Sequence, residues 1–323
     1  MSPQRALLPG SRQHFAHGPI DLIISAEGDP HAVTAAHEQA WSRFATLLHE
    51  LVQELPALQQ PVQADCALQG VVAQRMWHAC APYCEGYITP MAAVAGAVAQ
   101  EILSHYQIAG ITRAWVNNGG DIALHLSPGT HANVGLFSDL SRWPSALQDA
   151  PLPLDGRFTL GAELPVRGIA TSGWSGRSFS LGIADSVTVL AATAAQADAA
   201  ATVVANAVNI DDPRITRRPA CELKDNADLG ELLVTVEVPK LDTATVHAAL
   251  EAGLQRAQTL QSAGLIWAAV LTCQGHWRST LTTASTAHAH PADTPRVLAP
   301  NLHAHIAVPM RTSLLSPAPS MTV

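Results

Sequence analysis

In the run Ala197-Asp198-Ala199-Ala200-Ala201-Thr202, a carboxylate and a hydroxyl stand four residues apart, and Asn206 follows one turn later. At helical pitch all three share a face. The flanking residues are Ala and Val, so this polar stripe runs along a helix otherwise built for burial. A buried carboxylate has to be paired, hydrogen-bonded or bound to a cation. Carboxylate and hydroxyl oxygens suit a hard ion such as Mg²⁺, which shares its shell with phosphate. Two readings stand for the stripe: Asp198 and Thr202 hold a metal, or Asp198 caps a neighbouring backbone segment or faces solvent.

A second polar group, Asn117-Asn118-Gly119-Gly120-Asp121, brings two carboxamides, two glycines and an acid to one turn. Glycine lets a ligand approach the backbone, and a carboxamide pair can read the edge of a ring. The same residues also make an ordinary tight turn. The loop from Gly168 through Thr171, Ser172 and Gly173 to Arg177 is rich in glycine and hydroxyl groups. It reads as a phosphate nest with Arg177 supplying charge, or as a plain strand connector. His125, just beyond the Asn/Gly turn, is an acid/base candidate, as are Asp121 and Asp185.

These groups need a scaffold to position them. Pro19 to Ser25 predicts a strand, and Asp29 with Pro30 caps a helix to about Leu55, whose Leu47, Leu48, Leu51 and Leu55 fall on one face. Helical pattern recurs from Val71 to Ala79 and, after a Thr89-Pro90 cap, from Met91 to His105. That second stretch is made of small residues that allow close backbone approach. Arg113 to Asn117 and Asp121 to Leu126 predict two strands around the Asn/Gly turn. Further strands are expected at Asn133 to Phe137, Val166 to Thr171, Ser178 to Ile183 and Ser186 to Ala191. Thr193 and Gln196 form a capping box for an Ala-rich helix to about Asn209. The strand Leu232 to Val238, a helix from Thr243 to Ala263 and the strand Leu265 to Cys273 complete the order. Strands and long helices alternate irregularly, which predicts an α+β fold, and the loosely repeated order in the two halves suggests duplication.

Hydrophobic residues form 48% of the 323 and charged residues 14%, so most of the chain must pack. The net charge of -8 gives no electrostatic footprint for nucleic acid or an anionic membrane. Five unevenly spaced cysteines argue against a disulfide framework, and Pro82 interrupts the Cys80/Cys84 pair. No signal peptide or membrane span is legible, so the expected location is the cytoplasm. Walker A, G-x-S-x-G, H-E-x-x-H and C-x2-C patterns are missing from the sequence. Residues 1–278 read as one domain. Residues 279–323 read as a disordered, low-complexity tail, whose pairs His288/His290 and His303/His305 have chelating spacing but are expected to be solvated.

The order of these segments resembles the ApbE-like superfamily, relatives of FAD:protein FMN transferase. Val116 to Ile122 resembles its Gly-Gly-Asp strand turn, Ala170 to Gly173 its Ser-Gly strand, Ser186 to Val189 the strand after it, and Ala197 to Thr202 its metal-binding Ala-Asp-x-x-x-Thr. Thr89 to Ala97, Val116 to Leu126 and Gly168 to Asn206 are more closely similar to the branch called uncharacterised protein family 0280. The resemblance implies duplicated T-fold-like halves, with antiparallel sheets packed against long helices and a nucleotide cleft between. It implies Mg²⁺ at Asp198 and Thr202, with FAD or FMN as the bound nucleotide and a target protein as the receiver of the flavin. A second copy of the chain is a further partner compatible with it. The transferases carry a His-x-x-Asp-Pro-x-Thr-Gly segment before the Val-Thr-Val strand. Here Ser180 to Asp185 runs straight into that strand. The functional expectation is therefore Mg-dependent flavin nucleotide binding with transfer to a partner. The alternatives are a non-catalytic accessory protein for a flavin or sulfur enzyme, or a small-molecule enzyme acting on a planar heterocycle.

Overall fold

An antiparallel meander opens the chain: β1 (Gln4–Leu8), β2 (Arg12–His17), whose burial alternates along the strand, and β3 (Ile20–Gly28) pair in sequence order. A computed structural model provides this architecture and describes residues 2–136, 156–176 and 178–281. Helix α1 (Pro30–Gln53) starts as expected, with the Asp29 side chain accepting from the backbone N–H groups of His31 and Ala32. Its residues Ala36, Ala40, Phe44, Leu47 and Leu51 form the buried stripe. The short α2 (Leu55–Leu58) and α3 (Val71–Cys80) follow.

The helix expected from Met91 to His105 divides. A 3₁₀ turn over Pro90–Ala93 precedes α4 (Val94–Leu103), and a second 3₁₀ turn over Ser104–Tyr106 follows it. Thr89 does not cap it, because its hydroxyl instead donates to the Asp228 carboxylate at 2.5 Å. The hairpin β4 (Ile111–Asn118) and β5 (Asp121–Leu126) then forms around Gly119 and Gly120, both at positive φ.

The strands β6 (His131–Leu136) and β7 (Gly156–Gly161) make a separate hairpin. Next come β8 (Gly168–Ser172), β9 (Ser186–Ala191) and helix α5 (Ala194–Ala207). No strand forms over Ser178 to Ile183. Asn206 Oδ1 accepts from Ser180 Oγ and Leu181 N and so turns this segment toward α5. The capping box is present, with Thr193 Oγ1 accepting from Gln196 N at 3.3 Å. The hairpin β10 (Thr216–Pro219) and β11 (Leu233–Glu237) encloses the short α6 (Ala220–Leu223). Helix α7 (Thr243–Ser262) and the hairpin β12 (Ala268–Cys273) and β13 (His276–Ser279) close the described chain.

Nine of these strands form one antiparallel sheet in the order β1-β2-β3-β4-β5-β8-β9-β12-β13. The α+β expectation is met, and the two halves share an order. Strands β2 and β3, helices, then β4 and β5 are followed by β8 and β9, helices, then β12 and β13. The helices cover one sheet face, packing on Leu22, Ile24, Val116, Ala123, Val187, Val189 and Leu271. The β6/β7 hairpin covers part of the other, over Trp115, Ile122, Leu124, Ile169 and Leu190. Burial on both faces explains why β9 is buried at every position.

Candidate functional site

The register brings the chemistry-bearing segments to one end of the sheet. Asn118 pairs with Asp121 across the β4/β5 turn, Ile122 with Ile169, and Ser172 with Val187. The ends of β4 and β8 therefore lie beside the starts of β5 and β9. Side chains alternate across a strand, so Asp121 and Ser172 share the helix-covered face with Ala123 and Ala170. Thr171 points the other way, and its hydroxyl meets that of Thr188 at 2.9 Å.

Asp198 enters from α5 and is partly buried. Its Oδ2 accepts from the backbone N–H of Gly96 at 2.8 Å, in the first turn of α4. Burial pushes the Asp198 carboxyl well above the usual carboxylate range, and the nearby Asp121 carboxylate adds to that. The N–H groups of Gly96 and Ala95 oppose it. Asp198 thus caps α4, its oxygen accepting a donor that the first helical turn leaves open. The alpha-carbon of Gly96 leaves room for this approach: a Cβ there would lie 2.2 Å from the Ala194 carbonyl oxygen and 2.9 Å from Asp198 Cβ.

Thr202 lies one turn along α5 and is partly exposed. Among the described residues, no hydrogen bond engages its hydroxyl or that of Ser172. Asn206 is committed to Ser180 and Leu181 and leaves the stripe. Buried Cys80 lies close enough to Asp198 that its thiol is pushed well up, first by burial and then by that carboxylate. Gly96 and Ala95 lie inside the resembling Thr89 to Ala97 segment without reading as site residues, and Cys80 reads only as half of the interrupted Cys80/Cys84 pair. The small-residue run from Met91 to Ala99 is the physical signal that backbones could approach closely there.

The Asn/Gly turn is partly occupied with its own geometry. Asn117 Oδ1 accepts from Gly120 N at 2.8 Å, and Asn118 Nδ2 donates to the Ala95 carbonyl at 3.2 Å. Asn118 thus joins Asp198 in fixing the start of α4. Asp121 Oδ1 accepts from Thr171 N at 3.1 Å, extending the β5/β8 contact beyond its last strand pair.

Other candidates lie apart. His125 sits four residues along β5 from Asp121, about 13 Å away at strand rise, and its Nε2 lies 3.2 Å from the Ile111 carbonyl oxygen. Asp185 receives Gln274 N at 2.5 Å and the Trp174 indole N–H at 3.4 Å, which ties together the ends of β8, β9 and β12. Gly173 packs against backbone, since a Cβ would lie 2.3 Å from the Asp185 carbonyl oxygen. Arg177 and the four tail histidines lie outside the described residues. Among those residues no group of three or more His, Cys, Asp or Glu side chains is placed to hold a metal, and no helix is long and apolar enough to cross a membrane.

The family model described as AbpE bacteria matches residues 5–279. A UPF0280 protein of Methanopyrus kandleri is 37% identical over 222 residues, covering 67% of this chain and 83% of that relative. The chain belongs to the ApbE-like UPF0280 family. UPF0280 proteins of Methanospirillum hungatei and Methanothermobacter thermautotrophicus are 39% and 38% identical over 128 and 140 residues. Those matches span 39% and 43% of this chain, and about half of each relative, 47% and 50%. The apo crystal structure of Pseudomonas stutzeri flavinyl transferase ApbE superposes with a TM-score of 0.39 at 11% identity, covering 88% of this chain and 96% of that one. The matched residues 5–279 include the Asp121 turn and the Asp198 helix described above.

Proposed function

We propose that this UPF0280 chain binds a flavin nucleotide, FAD or FMN, together with Mg²⁺ at the sheet end formed by Asp121, Ser172, Asp198 and Thr202, and passes the flavin to a target protein. The observation that carries this reading is the pairing of two carboxylates, Asp121 and Asp198, beside the first turn of α4. The Asp121 carboxylate adds to the raised proton affinity of Asp198, and a bound cation would offset that repulsion. The donor set fits Mg²⁺, since carboxylate and hydroxyl oxygens are the ligands that ion prefers and no hydrogen bond among the described residues engages the Ser172 and Thr202 hydroxyls.

When bound, Mg²⁺ would supply a positive charge that neutralises a pyrophosphate and polarises its oxygens. Asp198 and Asp121 would hold that ion, with Thr202 as the hydroxyl donor. Gly96, Ala95 and Asn118 keep Asp198 and the start of α4 in place. Thr171 N holds the Asp121 carboxylate in orientation.

A second reading has its own observation. Asp185, one of the acid/base candidates, is engaged by Gln274 and Trp174 in joining strands. A chain whose acids serve structure would act as an accessory protein that binds flavin or a partner enzyme without turnover. Titrating protein into FAD while following flavin fluorescence separates these. Mg-dependent quenching that is lost in Asp198→Asn and Asp121→Asn supports the site. Quenching that ignores Mg²⁺ and both substitutions sinks it. AMP release from FAD in the presence of a labelled acceptor distinguishes transfer from accessory binding.

A further inference from the structure

Outside the sheet-end site, two histidines from distant parts of the chain meet at the edge of the sheet. His247 lies in the first half of α7 and His276 opens the edge strand β13. His247 Nε2 is 3.1 Å from His276 Nδ1, and the rings stand at 87° with centroids 4.7 Å apart. Both side chains are only partly buried. An open depression of about 530 Å³, lined by Gly275, His276, Trp277, Arg278 and Ser279, gives solvent access to the strand that carries one of them.

We infer that His247 and His276 form a two-histidine site for a borderline divalent transition-metal ion such as Ni²⁺ or Zn²⁺. Two imidazole nitrogens bound at about 2.0 to 2.1 Å to one ion, at angles between square and tetrahedral, stand about 2.8 to 3.4 Å apart. The observed separation lies inside that range. Without metal, an N–H of one ring donates to the ring nitrogen of the other, and that hydrogen bond holds the pair near chelating distance. With metal, both lone pairs turn to the ion and each ring carries its N–H on the other nitrogen.

The scaffold favours this use over chance contact. His276 pairs with Cys273 on β12, and Arg278 with Leu271. His276 and Arg278 therefore face α7. Glu251 stands one helical turn from His247, and its Oε2 lies 3.8 Å from Arg278 Nε. The neighbouring acid and base offset each other, so no net positive charge from this pair opposes a dication. Among the described residues no third His, Cys, Asp or Glu completes the set. The remaining positions go to water or an outside ligand, which makes the ion exchangeable. Imidazole donors select Ni²⁺, Zn²⁺ and Cu²⁺ over Mg²⁺, so this site is chemically separate from the carboxylates at the sheet end.

The His-x-His pairs beyond Ser279 are competing chelators. The experiment therefore uses the full chain with His288, His290, His303 and His305 all replaced by Ala, and titrates it calorimetrically with Ni²⁺. One ion per chain is expected, with a rise in thermal midpoint on adding Ni²⁺. His247→Ala and His276→Ala should each weaken binding by at least about tenfold, the least that even outer-sphere partners of a metal contribute. His247→Gln, on the helix surface, serves as a second variant should His276→Ala fail to fold, and it should lose the same affinity. Absence of Ni²⁺ binding in the tail-substituted chain, or unchanged affinity in the folded histidine variants, overturns the site.

Discussion

The Asp198 carboxylate on α5 accepts the Gly96 backbone N–H of α4 at 2.8 Å, so the acid at the head of the metal-like stripe is also the cap of a neighbouring helix. One side chain therefore serves two demands. It satisfies a donor that the first helical turn leaves open, and it places a carboxylate beside Asp121.

Separating those demands is the purpose of two substitutions. Asp198→Asn keeps an oxygen acceptor for Gly96 while removing the charge, and urea unfolding should show a change within about 1 kcal/mol of the native protein. Asp198→Ala removes the acceptor and should cost about 1 to 2 kcal/mol, the usual loss for a helix cap. Both should abolish Mg-dependent nucleotide binding. Equal stability of the two variants would show that the Gly96 contact contributes nothing.

The raised proton affinity of Asp198 has a definite sign for stability. Its folded value lies above the unfolded one, so the folded state binds the proton more readily. Its contribution is fully present below about pH 4, the ordinary range of a free aspartate, and declines as pH rises toward the raised folded value. The native protein should therefore lose stability relative to Asp198→Asn as pH rises from about 4, when thermal midpoints are compared at each pH. Mg²⁺ should recover part of the loss in the native protein and none in the variant. A flat difference between the two pH curves would remove the buried-carboxylate account.

The close approach of α4 and α5 depends on the absence of a side chain at Gly96. A Cβ there would lie 2.2 Å from the Ala194 carbonyl oxygen, which belongs to backbone and cannot move cheaply. Gly96→Ala should destabilise by about 1 to 3 kcal/mol, as overpacking of a filled interior does, and should weaken flavin binding by displacing Asp198. An increase in stability, as expected for Gly→Ala in an unconstrained helix, would mean that the helices separate without penalty.

Helix caps and strand periodicity made much of this architecture readable. Asp29-Pro30 and Thr193 with Gln196 mark helix starts by local chemistry, and β9 and β5 appear at their expected positions. The first two strands were not legible, because Arg12 to His17 holds only two apolar residues, Phe15 and Ala16, side by side, so the sequence shows no alternation; its alternate burial arises from pairing with β1 and β3. Thr89 misled for a different reason. Its sequence neighbours are those of a cap, but its hydroxyl is taken by Asp228, 139 positions away. The Asp198 stripe was legible as polar residues on a buried face. Which partners would claim it depended on tertiary contacts: Gly96 for Asp198, and Ser180 with Leu181 for Asn206.

The helix layer contains one ion cluster whose disruption should exceed these effects. Glu101 on α4 accepts from Arg43 Nε of α1 at 2.7 Å and from Arg75 of α3 at 2.8 Å, with its side chain 12% exposed. Burial alone would raise the Glu101 carboxyl, but the two guanidinium groups outweigh it and hold the group below its ordinary value. Its stabilisation is thus present above the unfolded glutamate range and lost as pH falls through the folded value. Glu101→Ala leaves two arginines facing each other among α1, α3 and α4. Breaking a buried pair costs about 3 to 5 kcal/mol, and the partial exposure of Arg43 and Arg75 places the expected loss near about 3 kcal/mol. Chemical denaturation at neutral pH measures it. The matching acid limb should move to milder pH in Arg43→Ala, which removes the donor to Glu101 and that to Glu50 together. An unchanged acid limb in that variant would assign the lowered Glu101 value to Arg75 alone.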